Sequence, residues 1–165
     1  MMMMIYSSNS DFEYASQEWV FDMINVEPVW KQGIFGKGVR VRVNDNGVDS
    51  DHDEFGDRFD VDASCTNYDA LFYDEDRGFY NYTQHGTTVA SIIGASGDNR
   101  QCAVGVAPEV TISSCKLFDG SFTLDNILDS NWLIEKLDQF DISQNSVGGE
   151  FQLVLLLVVL FNADF

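Results

Sequence analysis

The stretch Gly36-Lys37-Gly38-Val39-Arg40-Val41-Arg42-Val43-Asn44-Asp45-Asn46-Gly47 decides the reading of this chain. Gly33, Gly36 and Gly38 mark a turn. Val39 to Val43 (VRVRV) alternates apolar and polar residues strictly, the period of a β-strand, and the run stops at Asp45-Asn46-Gly47, where turn-forming residues take over. A carboxylate at the C-terminal end of a strand in an open α/β sheet stands at the edge where such sheets form their clefts.

Outward from this strand, Thr87 to Ala95 (TTVASIIGA) is small and apolar, suited to a buried helix, and Val110 to Leu117 (VTISSCKL) predicts a second strand. Phe140 to Val147 predicts a third. Between these two strands, Thr123 to Phe140 carries Leu124, Ile127, Leu128, Trp132, Ile134 and Leu137 in a rough helical stripe. Upstream, Glu18 to Val29 has mixed helical periodicity, with Trp19, Met23, Ile24 and Val26 expected to be buried. Asp57 to Gln84 is polar, aromatic and acidic, and predicts a long surface loop. Strands alternating with helices predict a parallel α/β sheet.

Composition bounds the rest. The chain has 165 residues, 45% of them apolar and 13% aromatic, enough for one domain with a core. Its formal charge of −18 disfavours nucleic acid and anionic membrane surfaces and favours cations and basic peptides. Three cysteines, Cys65, Cys102 and Cys115, leave at least one unpaired. They are either reduced and buried, or one has its disulfide partner outside this stretch, and no Cys/His spacing suggests zinc. The N-terminus, MMMMIYSSNSDFEY, has neither a basic region nor a long apolar core and predicts no signal peptide. Leu153 to Phe161 (LVLLLVVLF) is too short for a membrane-spanning helix. It is either a buried strand or sequence foreign to the domain, so residues 10–150 are taken as the domain and residues 151–165 as an apolar tail.

Of the two histidines, His52 has no distinctive setting. His85 is followed by Gly86, which lets the backbone turn, by Thr87, expected to cap a helix, and then by the small-residue helix. That places an imidazole beside the strand ends, on the edge that carries Asp45. A carboxylate and an imidazole converging there make two thirds of a Ser-His-Asp triad, in which the acid holds the imidazole tautomer and stabilises the imidazolium. A capping aspartate and an ordinary surface histidine are the alternative.

Four ordered motifs carry a resemblance to a known family. Trp30 to Val39, followed by Val43-Asn44-Asp45-Asn46-Gly47-Val48 and Asp51-His52, resembles the aspartate motif of subtilisin-like serine proteases (subtilases, peptidase S8). His85-Gly86-Thr87-Thr88-Val89-Ala90 resembles their histidine motif, and Cys102-Ala103-Val104-Gly105-Val106-Ala107-Pro108 the stretch after it. With Lys116-Leu117-Phe118-Asp119-Gly120, the pattern is most similar to the kexin and furin branch, the proprotein convertases. Ser146-Val147-Gly148-Gly149 resembles the segment that lines the substrate cleft.

The resemblance implies an α/β, Rossmann-like subtilisin fold with a mostly parallel sheet and flanking helices, here incomplete. It implies Asp45 as the triad acid and His85 as the general base. It also implies Ser146, Val147 and Gly148 as backbone partners of an extended peptide. The family's nucleophile, in a Gly-Thr-Ser motif, and its oxyanion-hole asparagine have no counterpart in this sequence. Asn46 occupies a substrate-selecting position where convertases carry an acid. Tyr82 and Phe151-Gln152 replace two further acids, so the dibasic preference of the branch is not carried over. The resemblance further implies a structural calcium ion held by Glu54, Asn99 and the backbones of Ser96, Gln101 and Ala103, with Asp11 as an N-terminal member. A metal-free turn at Gly97 to Asn99 is the alternative.

The expected function is therefore serine-type endopeptidase by family, acting on peptide or protein substrates. The chain is expected to be truncated before the nucleophile and inactive alone, and its parent family works in the secretory pathway. The alternative is a pseudoprotease or peptide-binding module without catalysis.

Overall fold

The computed structural model describes residues 11, 13–65, 68–74, 79–82, 84–117, 136–146 and 159–160. In chain order the elements are α1 (Tyr14–Ile24), α2 (Glu27–Trp30), β1 (Arg40–Asp45), a 3-10 turn (Gly56–Arg58), β2 (Leu71–Asp74) and β3 (Phe79–Tyr82). After these come α3 (His85–Gly94), β4 (Thr111–Lys116), a second 3-10 turn (Leu137–Gln139), β5 (Ile142–Asn145) and β6 (Val159–Leu160). The helical stripe expected from Thr123 lies mostly in 118–135, outside the described residues.

The main sheet runs β4-β1-β5-β6. β1 is central and parallel to both neighbours, with Val43 opposite Ser114 on one side and Gln144 on the other. β6 pairs antiparallel with β5, Leu160 opposite Ile142. Val41, Val43, Val48, Phe55, Ala90, Val110 and Ile112 form the core between the sheet and α3, each large side chain contributing about 1.5–3 kcal/mol by burial. α3 approaches this closely because its buried residues are Gly86, Thr87, Ala90 and Gly94. A Cβ on Gly94 would lie 2.6 Å from Val110 Cγ2.

The other face of the sheet is polar and also buried. Arg42 is fully buried, with its guanidinium 3.8 Å from the centre of the Phe140 ring, a cation–π contact. Asn44 Nδ2 donates to Ser143 Oγ at 2.8 Å and to Asn145 Oδ1 at 3.0 Å.

Three sequence expectations are corrected here. Of the upstream apolar residues, Val26 is buried but Trp19, Met23 and Ile24 are 63%, 72% and 48% exposed. α1 buries Phe21 instead, because its ring packs 5.8 Å from Tyr14 and 5.1 Å from Trp30. Asn25, at φ 54°, ends the helix.

The stretch expected to be a surface loop closes the outer edge of β4. Asp60 N donates to Ile112 O at 2.8 Å, Cys65 N to Ser114 O at 3.0 Å, and Ser114 N to Ser64 Oγ at 3.0 Å. An exposed strand edge needs such partners, and further along the same stretch β2 and β3 form an antiparallel pair.

The cysteines are not all reduced. Cys65 and Cys115 form a disulfide across that covered edge, with their Cα atoms 4.9 Å apart, and Cys102 is free and exposed.

Candidate active site

Asp45 ends β1 and is fully buried. Its backbone oxygen accepts the Leu117 N–H at 2.7 Å, which fixes the strand end against the exit of β4. His85 begins α3. Its Nδ1 lies 2.8 Å from Asp45 Oδ1 and 2.9 Å from Oδ2. An ionised carboxylate only accepts, so in this bond Nδ1 is the donor, and the neutral imidazole that makes it keeps its lone pair on Nε2. The His85 side chain is 58% exposed, so a buried acid holds an imidazole whose outer part is open to solvent. This arrangement can take a proton from a nucleophile and return it to a leaving group.

Sterics set the approach. Gly86 lies within the helix, and a Cβ there would fall 2.3 Å from Gly47 O and 3.1 Å from Asp45 Cβ. The sequence expectation that Gly86 serves a tight turn is therefore corrected: its lack of a side chain lets α3 sit on the Asp45–Gly47 segment. Gly47, at φ 101°, in turn packs where a Cβ would lie 2.4 Å from Asp69 O. Thr87 does not cap the helix. It sits inside α3, and its Oγ1 accepts the Asp49 N–H at 3.0 Å.

Asn46 was not legible from sequence as a structural tie. Its N–H donates to Asp45 Oδ1 at 2.8 Å, and its Oδ1 accepts the Gly86 N–H at 2.9 Å. Ser146 is exposed and follows β5 directly. Asn44 pairs with Asn145 in parallel register, which sets Ser146 level with Asp45 at the same sheet edge. Val147 and Gly148 lie outside the described residues.

The six positions grouped for a cation fall around one loop. Asp11 and Glu54 are 5% and 1% exposed. The Asp11 carboxylate accepts the N–H groups of Asp98, Asn99 and Arg100 at 2.8, 2.9 and 3.0 Å. Glu54 accepts Asn99 Nδ2 at 2.9 Å and Ala103 N at 3.1 Å. Ser96 N donates to Glu54 O, and Gln101 N to Asn99 Oδ1.

Arg58, a cation in an acidic stretch that sequence reasoning passed over, clamps this region. It donates to Gly94 O, Val110 O, Glu54 O and Ser96 Oγ at 2.7–3.0 Å. Burial pulls its guanidinium below the ordinary arginine range, against the opposing pull of Glu54.

The model of the subtilase family matches residues 36–153. Furin-like protease 1 (isoform 1-CRR) of Drosophila melanogaster is 39% identical over 114 residues, which are 67% of this chain and 10% of that protein. Proprotein convertase subtilisin/kexin type 5 of Branchiostoma californiense is 38% identical over 112 residues, covering 67% of this chain and 6% of that protein. This chain thus spans a tenth or less of the length of these relatives. Among solved structures, a protease from Pseudoalteromonas arctica PAMC 21717 superposes with a TM-score of 0.54 at 19% identity. That match covers 74% of this chain and 43% of the other, a likeness of fold.

Proposed function

The chain belongs to the subtilase family, with relatives in the kexin and furin branch, and from that premise we propose that it carries the acid–base part of a serine endopeptidase site without the nucleophile. The observation that carries this reading is Asp45 at 2.8 Å from His85 Nδ1, a buried acid on a solvent-open base. In the family reaction a serine attacks the peptide carbonyl, the histidine takes its proton, and the aspartate orients the histidine. Asp45 and His85 supply the last two roles. The sequence holds no Gly-Thr-Ser motif, and nothing in it matches the side-chain donor of an oxyanion hole, which contributes about 3–4 kcal/mol by itself. This polypeptide therefore has no serine-protease activity of its own.

The substrate class is an extended peptide or protein segment pairing along Ser146, Val147 and Gly148 as an added strand. Asn46, at the position of a specificity acid, does not attract a basic side chain as a carboxylate would. The Cys65–Cys115 disulfide suits an oxidising compartment, which accords with a secretory-pathway parent. Among the described residues no helix is long and apolar enough to cross a membrane.

A calcium ion belongs to the same reading. Two buried carboxylates and an amide gathered on one loop are hard oxygen donors of the kind calcium takes. Asp11, Glu54 and Asn99 Oδ1 would hold it with the carbonyls of Ser96, Gln101 and Ala103, once the Asn99 amide turns its oxygen inward. The ion would offset the negative charge of the two carboxylates.

A fluorophosphonate probe, which needs an activated serine, tests the central claim. No labelling of the purified chain is expected. Stoichiometric labelling of a serine, abolished by His85→Ala, would refute it. Binding of an extended peptide without cleavage would favour the peptide-binding alternative.

A further inference from the structure

The residue after Asp45 joins the acid to the helix that carries the base. Asn46 N–H donates to one Asp45 carboxylate oxygen at 2.8 Å, while Asn46 Oδ1 accepts from Gly86 N at 2.9 Å. The first four N–H groups of a helix have no carbonyl partner within it, and Gly86 carries one of these. Gln84, at the N-cap of α3, makes no side-chain capping bond. The acceptor comes instead from a residue 40 positions earlier in the chain. A capping side chain ordinarily satisfies a helix start from its own segment. Here the cap is supplied by the strand exit, so the same bond that completes α3 also fixes where α3 begins relative to Asp45.

We propose that Asn46 is a positioning residue of the acid–base pair. It holds the first turn of α3, and with it the His85 backbone, at the distance that keeps Nδ1 within reach of both Asp45 oxygens. The glycine at 86 permits the approach, since any Cβ would meet Gly47 O, and the Asn46 oxygen then fixes it. The bond between Asp49 N and Thr87 Oγ1 is a second tie in the same turn, so losing the Asn46 acceptor loosens the helix start without releasing it. An aspartate at 46 would keep the acceptor and add a charge beside the pair, whereas an alanine would remove the acceptor.

This inference rests on reading Asp45 and His85 as a catalytic pair, and its test uses the full chain without substrate. Amide hydrogen exchange by NMR should find the Gly86 N–H protected although it lies at a helix start. Asn46→Ala should lower that protection about fivefold, the loss of one ordinary hydrogen bond, and weaken or shift the low-field His85 Nδ1–H resonance. Asn46→Asp should restore the protection. A purely structural role would lower the thermal midpoint and leave the ring resonance in place. An unprotected Gly86 amide in the unaltered chain would overturn the proposal, and that measurement needs no variant to fold. So would an Asn46→Ala chain with protection and ring resonance both unchanged, or an Asn46→Asp chain that loses the protection. Absence of the His85 ring resonance in the unaltered chain would overturn the pair itself. Fluorophosphonate labelling would refute the missing nucleophile and leave the positioning role standing.

Discussion

Cys115, one residue before the end of β4, is disulfide-bonded to Cys65 and lies opposite Asn44 in the parallel register, next to the residue that precedes Asp45. The bridge fastens the covering segment 59–65 to the strand that flanks the acid.

Opening this bridge should cost stability. It closes a loop with a sequence separation of 50, for which the chain-entropy account gives about 4 kcal/mol. Urea unfolding of the Cys65→Ala/Cys115→Ala chain should show a lower midpoint than the oxidised parent. Adding reductant should lower the parent and leave the double variant where it is. Coincident curves for the two oxidised proteins would show that the bridge does not form.

Gly86→Ala should be among the more damaging single-methyl additions in the chain. The new Cβ would meet Gly47 O at 2.3 Å, a backbone atom that cannot swing aside as a side chain would, so relief requires α3 to move away from the Asp45–Gly47 segment. Overpacking of this kind costs about 1–3 kcal/mol, and His85 should lose its bond to Asp45. A thermal melt together with the imidazole proton spectrum checks both, and an unchanged spectrum would show that the helix start tolerates the shift.

Acid should weaken the join between β1 and β5 through Asp141. Hydrogen bonding from Arg40 holds the Asp141 carboxyl below the usual carboxylate range, and Arg40 NH2 lies 2.9 Å from Asp141 Oδ1. A depressed carboxyl contributes stability above its unfolded pKa and loses it as pH falls through the folded value. The urea midpoint of the parent should therefore exceed that of Asp141→Asn near neutrality, with the gap closing in acid below the usual carboxylate range. Both side chains are more than a third exposed, so the gap should be small and shrink further in high salt. A gap that widened in acid would reverse the assignment.

If calcium binds at Asp11, Glu54 and Asn99 as proposed, it should raise the thermal midpoint by mass action on the folded state. Glu54→Gln should reduce the rise, because it removes one of the two buried charges. Equal midpoints in excess calcium and in chelator would remove calcium from the description of this chain.

Much of this was legible in the sequence because it is local. The alternation of Val39 to Val43 gave a strand observed at Arg40–Asp45, since side chains of period two face alternate sides of a sheet. The small residues after His85 gave a helix, observed at His85–Gly94 and buried on the face of Gly86, Thr87, Ala90 and Gly94 while Ile92 is exposed, and the two motifs together pointed to the Asp45–His85 pair. Tertiary structure decided what depends on neighbours distant in the chain. Arg42 reads as the polar half of an alternating strand, yet it is fully buried under the Phe140 ring. Trp19 and Met23 read as core and stand in solvent, because only the packing of Phe21 on Tyr14 and Trp30 determines which side of α1 is covered. The pairing of Cys65 with Cys115 and the reach of Asn46 to Gly86 span 50 and 40 positions. Periodicity cannot express such contacts, since they exist only once the sheet has brought the two stretches together.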